Sequence, residues 1–377
     1  MIAERVKTIQ PSATLRISTL AKELAREGKD VVDMSVGEPD FVTPQHIMDA
    51  AVKAMKEGKV FYTPTKGIPE LLEAIAEKLR EENNIEVTPQ NIIVTPGAKY
   101  AIFEAVMCTV DRGDEVILLD PSWVSYEACV LMARGKPIWV PHTNNFQDAP
   151  IEEYITRKTK MIIINTPSNP IGVVYPKEFI KKIRDIAVDN DILVLSDEIY
   201  EKIIFEGSHI SIASLDGMDE RTITINGFSK TYSMTGWRLG YAAAPEWIIK
   251  EMNKIQSHSV SHPTSFVQYA GVAALKGDQS FIKEMVSEFK KRRDMIVEKL
   301  KDLQIEFAPP KGAFYIFMDV GRDGTEFCEE FLSKEYVALT PGSAFGISFK
   351  TWVRVSYATS QSNIMKFLER FERFIQT

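Results

Sequence analysis

Residues 227–240 read GFSKTYSMTGWRLG and lie between two β-forming runs, 222–226 ahead of them and 239–244 behind. Lys230 sits among Ser229, Thr231 and Tyr232 rather than on a charged helix face, and Arg238 follows eight residues later, at the mouth of the second run. A lysine amine beside small residues and an arginine suits a ligand that bears both a carbonyl and a phosphate. The amine can condense with the carbonyl, while the guanidinium and hydroxyls hold the phosphate. A solvated loop lysine beside a surface arginine fits the same residues, so the surrounding chain has to decide.

The two flanking runs belong to a longer alternation. From residue 91, short apolar segments recur at 92–95, 115–119, 138–140, 161–165, 192–196, 222–226 and 239–244, with helical patterns such as 177–189 in most intervals. Strands that are apolar on both faces and separated by helices predict a mostly parallel sheet covered on both sides. Ligand groups in such sheets gather at the carboxyl ends of the strands.

Upstream, helical periodicity over 14–28 puts Leu15, Leu20 and Leu24 on one face, with Gly28 as the stop. A strand at 31–36 then runs into the turn Gly37-Glu38-Pro39-Asp40. Pro44 opens a helix to Gly58, and Pro69 sits in the first turn of another that continues to about Glu82. Downstream, a long helix over 279–303 changes the layout, and strands at 314–318, 337–339 and 352–356 predict an α+β unit. The expected class is therefore α/β, with a large domain over 45–280 and a smaller α+β domain over 281–377 that residues 1–44 could join, which would make it discontinuous.

Other stretches carry chemistry-bearing side chains. Thr95-Pro96-Gly97-Ala98-Lys99 joins a strand to a helix, where small residues let backbone N–H groups approach an anion and the helix dipole favours it. An ordinary tight connection fits as well. Asp197, in Ser196-Asp197-Glu198-Ile199-Tyr200, is a carboxylate at the end of a central strand, costly to bury without a cationic partner such as a protonated ring nitrogen. The alternative is an N-cap carboxylate followed by a core tyrosine. Two prolines in Asn165-Thr166-Pro167-Ser168-Asn169-Pro170 build a turn that presents Asn169 rigidly. Trp123, just past the strand at 115–119, offers an aromatic face to a ligand or to the core. Arg354, in Trp352-Val353-Arg354-Val355-Ser356, is a planar fork inside an alternating strand and matches a carboxylate, unless it faces solvent.

In this order the segments resemble the class I pyridoxal-phosphate-dependent aminotransferases, most closely the aspartate aminotransferase branch. Residues 227–240 match the family's attachment pattern, small–x–small–Lys followed by Ser–Met–x–Gly–x–Arg–x–Gly, at every constrained position, and the likeness runs from Pro11-Ser12-Ala13-Thr14 to the last strand. The resemblance implies a fold-type I architecture and a homodimer with shared active sites. It makes Lys230 the catalytic lysine that holds pyridoxal 5′-phosphate, with Ser229, Arg238, Gly97, Ala98 and Lys99 around the phosphate end. It sets Asp197 against the ring nitrogen, Tyr200 and Asn169 on the ring oxygen, and Trp123 over the ring and beside the substrate. Arg354 and Gly37 would take the substrate α-carboxylate, with Asn169 a secondary contact. Tyr62, in Phe61-Tyr62-Thr63-Pro64, matches a tyrosine that reaches the phosphate in the neighbouring subunit. Ile171 stands where the family usually carries threonine.

Bulk properties agree with such an enzyme. At 377 residues, 45% hydrophobic and 26% charged, the chain can form one large or two ordinary domains with ample core. A net charge of −7 without a basic block argues against a nucleic-acid surface. Cys108, Cys129 and Cys328 show neither a disulfide framework nor zinc spacing. His258 and His262 have the spacing of a helical ligand pair, but Pro263 follows at once, so no metal is expected. No apolar run approaches the ~18 residues a membrane helix needs, and residues 1–12 lack a signal-peptide core. Cytoplasmic placement is expected.

The implied reaction moves an amino group between an L-amino acid and a 2-oxo acid. A free lysine titrates near ~10.4, so Lys230 must be desolvated or placed near cations such as Arg238 to act as a base. Lys99 points to aspartate and 2-oxoglutarate, because one branch of aspartate aminotransferases binds the distal carboxylate with a lysine at this place; a solvated lysine at a helix start also fits. Relatives that accept prephenate tend to carry a lysine just before Pro-Ser-Ala-Thr. Gln10 stands there, so weak prephenate activity is expected. Aromatic and alanine aminotransferases share the other motifs. A β-lyase on the same scaffold and a non-catalytic ligand-binding protein are the remaining classes, the latter opposed by intact Lys230, Asp197 and Arg354.

Overall fold

The computed structural model of the chain describes residues 2–9, 13–143 and 145–376. In chain order its strands are β1 (Val32–Asp33), β2 (Ile92–Thr95), β3 (Glu115–Asp120), β4 (Lys136–Pro141), β5 (Thr159–Asn165), β6 (Leu193–Asp197), β7 (Thr222–Gly227), β8 (Gly240–Ala243), β9 (Tyr315–Asp319), β10 (Val337–Ala338), β11 (Thr340–Pro341) and β12 (Trp352–Ser356). Strands β2 to β8 form a seven-stranded sheet in the order β2-β8-β7-β6-β5-β3-β4. Every strand in it but β8 runs one way. β3, β6 and β7 are buried along their whole length, as continuously apolar runs covered on both faces must be.

The covering helices form where apolar residues recur at helical spacing. In Lys177–Asp189 the buried residues Phe179, Ile180, Ile183 and Ala187 make one stripe, and the charged residues take the other face. Pro69–Asn83 has its proline in the first turn, where no amide partner is lost, and stops at Asn84, whose φ of 55° turns the chain out of the helix. No helix among the described residues is long and apolar enough to cross a membrane.

The remaining strands belong to the C-terminal part. β11, β12 and β9 form an antiparallel sheet, and β1 pairs in parallel with β10, Val32 opposite Val337. Val32 and Met34 therefore share a core with Met285, Phe289, Phe314 and Phe331. The strand expected over 31–36 is paired as β1 only at Val32 and Asp33, because the chain beyond Met34 leaves the edge and enters a cavity described below. In helix Ala13–Arg26 the buried stripe is Ile17 and Ala21, packed on Leu332 and Ala338 with Leu24 alongside. Leu20, expected on that face, is 46% exposed; it falls on the flank of the stripe set by positions 17, 21 and 24.

Candidate active site

The carboxyl ends of β5, β6 and β7 open into one cavity of about 470 Å³. Register sets Asn165 opposite Asp197, and the chain leaving β7 brings Ser229 and Lys230 to the same rim. Lys99, Trp123, Asn169, Tyr200 and Arg238 complete this side, while Ser35 to Glu38, Tyr315 and Arg354 close the other. Lys99, Lys230, Arg238 and Arg354 are the cations of the wall; Glu38 and Asp197 are its carboxylates. None of the four cations forms an ion pair among the described residues.

Lys230 donates a 2.6 Å hydrogen bond from Nζ to the Gly37 carbonyl. Burial pushes its pKa down to about 8; Arg354 and Arg238 act the same way, Glu38 and Asp197 oppose them. Both causes expected from the sequence, desolvation and a neighbouring arginine, are present. Asp197 is buried, accepting from the Tyr126 hydroxyl at 2.6 Å and from the Ile199 amide at 3.2 Å. Burial pushes its carboxyl up to about 6, and the Tyr126 and Ile199 bonds pull the other way. The Tyr200 hydroxyl lies 2.8 Å from the Tyr315 hydroxyl; both rings belong to the buried core of the C-terminal part and also line the cavity.

Arg354 is buried rather than solvent-facing. On β12 it lies between Thr340 and Phe317 of the neighbouring strands. Nη1 donates to Asn169 Oδ1 at 2.9 Å, Nη2 donates to the Ser35 carbonyl and to Thr340 Oγ1, and Nε has no partner among the described residues. A chain of bonds continues from there. Asn169 donates its amide to Asn165 Oδ1 at 2.8 Å, and Asn165 donates from Nδ2 to the Asp197 carbonyl at 2.8 Å.

At the other end of the cavity, helix Ala98–Thr109 starts directly above β8. The approach demands glycine: a Cβ on Gly240 would lie 2.3 Å from the Ala98 amide nitrogen, and one on Gly97, whose φ is +89°, would lie 2.5 Å from Arg238 Nη2. Arg238 donates to the carbonyls of Thr235 and Pro96 at 3.0 and 3.3 Å. Gly97 thus backs the guanidinium without reaching the cavity wall, whereas Ala98 lines it. Lys99 Nζ stands 4.9 Å from the centre of the Trp123 ring. Burial lowers its pKa; the Cys129 thiol opposes that shift and Arg238 adds to it.

Tyr62 is outside the cavity. It is 92% exposed, beside Phe61 at 80%, and its ring meets His262 edge-on. Helix Glu246–Ser259 ends before His262, so His258 and His262 do not form the helical pair their spacing implied. The three cysteines are free. Gln10, Pro11 and Ser12 lie outside the described residues. Sequence reasoning gave no role to Tyr126, Tyr315 or Asn165. Tyr126 and Asn165 stand inside stretches already singled out, three residues after Trp123 and four before Asn169, but nothing local marks Tyr315.

Comparison with known proteins places the chain in a family. The model of the aminotransferase class I and II family matches residues 29–371. The aspartate aminotransferase of Bacillus subtilis is 45% identical and aligns over 100% of this chain and 99% of its own. Aromatic-amino-acid aminotransferase 2 of Thermococcus litoralis is 40% identical over 100% of this chain and 98% of its own. The solved structure of aspartate aminotransferase from Thermus thermophilus with maleate is 41% identical, with a TM-score of 0.96 over 99% of both chains. The fold-type I architecture expected from the sequence is the one found.

Proposed function

The chain belongs to the class I and II aminotransferases, and we propose that it uses pyridoxal 5′-phosphate to exchange an amino group between aspartate and 2-oxoglutarate. The cavity suits that cofactor. Asp197 is buried with a hydroxyl and an amide donating to it but, among the described residues, no cation, the surroundings a protonated ring nitrogen completes. Arg238, Ser229 and the start of helix Ala98–Thr109 make a site for a phosphate, and Trp123 offers a ring face. When bound, the cofactor supplies an aldehyde for amine exchange and an electron-withdrawing ring that stabilises negative charge at the substrate Cα.

The chain's own groups do the rest. Lys230, its pKa brought down to about 8, yields a growing share of free amine as the pH rises towards that value, and this amine takes the proton from the substrate Cα and returns it. Arg354 binds the α-carboxylate; its unpartnered Nε supports this, because a buried guanidinium N–H is costly to leave unpaired. Asn169, bonded to that guanidinium, keeps the fork oriented, and Tyr200 with Tyr315 supplies hydroxyl donors beside the ring. The backbone of residues 35–37 and Trp123 exclude water on either side.

The observation that carries the aspartate reading is the surplus of unpaired cations in the wall. Arg238 meets the phosphate and Arg354 the α-carboxylate. Lys99, over the Trp123 ring with no carboxylate partner among the described residues, is left for a second substrate carboxylate. In a comparison of Asp, Tyr and Ala as donors, Lys99→Ala is expected to lower the Asp-over-Ala preference in kcat/KM about 30-fold, the loss of one charge-assisted bond of ~2 kcal/mol. An unchanged preference would end the dicarboxylate assignment. Prephenate is expected to be a poor acceptor because of Gln10.

The exposed Phe61 and Tyr62 support a homodimer in which Tyr62 reaches the cofactor phosphate of the neighbouring subunit. We assign residues 45–280 to the large domain and residues 1–44 with 281–377 to the small one, and place the enzyme in the cytoplasm.

A further inference from the structure

A second cleft, of about 800 Å³, lies at the end of β7 away from Lys230. Its floor is Thr222 and Thr224 of β7 with Ala243 of β8, and Thr224 pairs with Ala243 across the two strands. Alternation along β7 sends Ile223 and Ile225 to the other face, where they are buried in the core. Larger apolar residues at 222, 224 and 243 would fill this space; the small ones leave it open. The walls are the segment following helix Pro69–Asn83, the loop from the turn Ile212–Ser214 to Glu220, and the first residues of helix Glu246–Ser259.

Independent observations give the cleft a ligand chemistry. Thr222 and Thr224 are 3% and 1% exposed, yet neither hydroxyl has a hydrogen-bond partner among the described residues, although buried hydroxyls are normally bonded. Glu86, Asp216, Asp219, Glu220 and Glu246 line the cleft, and among the described residues no lysine, arginine or histidine does. Trp247 stands at its edge, 53% exposed. No three of these acidic groups bring ligand atoms within 4.8 Å of one another. Among the described residues only Glu198, Glu201 and His209, which lie elsewhere, bring three such ligand atoms within 4.8 Å of one another. The two glutamates of that group already accept from Lys78, Asn83 and Ser211.

Spread carboxylates, apolar floor residues and an exposed indole match a cation whose charges are also spread and joined by methylenes. Ammonium groups bond carboxylates and hydroxyls, and the connecting methylenes and one charge rest on alanine and indole surfaces. We propose that this cleft binds a linear aliphatic polyamine, with its ammonium groups on the wall carboxylates and one end donating to the Thr222 and Thr224 hydroxyls.

The test titrates the holoenzyme with the triamine spermidine, with MgCl2 and with NaCl at matched ionic strength, followed by calorimetry and tryptophan fluorescence. One saturable spermidine site is expected, with no saturable response to either salt. Asp219→Asn combined with Glu220→Gln, both exposed, should weaken binding about tenfold, and Thr222→Val should weaken it too. Trp247→Phe should remove the fluorescence response while calorimetric binding persists. Absence of a saturable site, an equal response to Mg2+, or wild-type affinity in the Asp219/Glu220 variant would overturn the assignment. Failure of Thr222→Val to fold leaves the two exposed carboxylates to decide.

Discussion

Oδ2 of Asp197 accepts a 2.6 Å hydrogen bond from Tyr126, and both side chains are buried. The tyrosine arrives from helix Ser125–Met132, just after Trp123, so one short stretch supplies both the proposed stacking face and a donor to the proposed ring-nitrogen partner. Without Asp197 charged, a protonated ring nitrogen has no counter-ion in the cavity floor.

Tyr126→Phe removes a bond that favours the charged carboxyl. Asp197, whose pKa is about 6 in the free site, should then titrate about one unit higher. Affinity for pyridoxal phosphate should fall on the acid side at a correspondingly higher pH than in the wild type. Cofactor dissociation constants measured across that range check this; superimposable acid limbs would refute it.

Lys230 carries a folded pKa of about 8 against 10.5 for a free lysine. Between those values the unfolded chain holds a proton that the folded chain has released, so stability rises with pH through this window. Below about 8 both states are protonated and the folded protein bears the full cost of a desolvated ammonium. In the cofactor-free protein, Lys230→Met should therefore raise stability near pH 7 by on the order of 1 kcal/mol. That gain should shrink as the pH approaches 10.5. Urea unfolding at three pH values reads the trend.

Arg354→Lys keeps the charge but loses the fork that reaches Asn169, Ser35 and Thr340 at once. KM for the amino donor should rise about 30-fold, with a smaller fall in kcat, for every donor alike. This separates Arg354 from Lys99, whose loss should act on dicarboxylic donors alone. Steady-state kinetics with Asp and Ala distinguish the two patterns.

Asp120, at the end of β3, ties the large sheet to the C-terminal part of the chain. Its Oδ2 accepts from the amides of Ile347 and Ser348 at 3.3 and 3.0 Å, and a Cβ on Gly346 would lie 1.8 Å from Oδ1. Asp120→Ala should cost about 2 kcal/mol, since two amides lose a charged acceptor. Gly346→Ala should destabilise by steric conflict with the same carboxylate. Chemical denaturation midpoints of both variants are the check.

Much of this protein is legible in the residues alone. Strand and helix positions follow from local apolar spacing, and Lys230, Asp197, Asn169 and Trp123 stand in short segments just past predicted strands. The parallel sheet then gathers them, because strands aligned one way present their carboxyl ends together. What spacing could not show depends on segments far apart in sequence. Arg354 and Asn169 are 185 residues apart, and Tyr200 and Tyr315 are 115 apart; neither partner marks the other locally. Leu20 has helical spacing but lies on the flank of the buried stripe and stays 46% exposed, and Gly97 serves Arg238 from behind the wall. The acidic cleft also escaped, since its carboxylates come from separate loops and its threonines look like ordinary strand residues. Local periodicity and motif order determined the fold class and singled out Lys230 as the candidate lysine; tertiary packing decided which charges are paired, which are buried, and so which are free to bind a ligand.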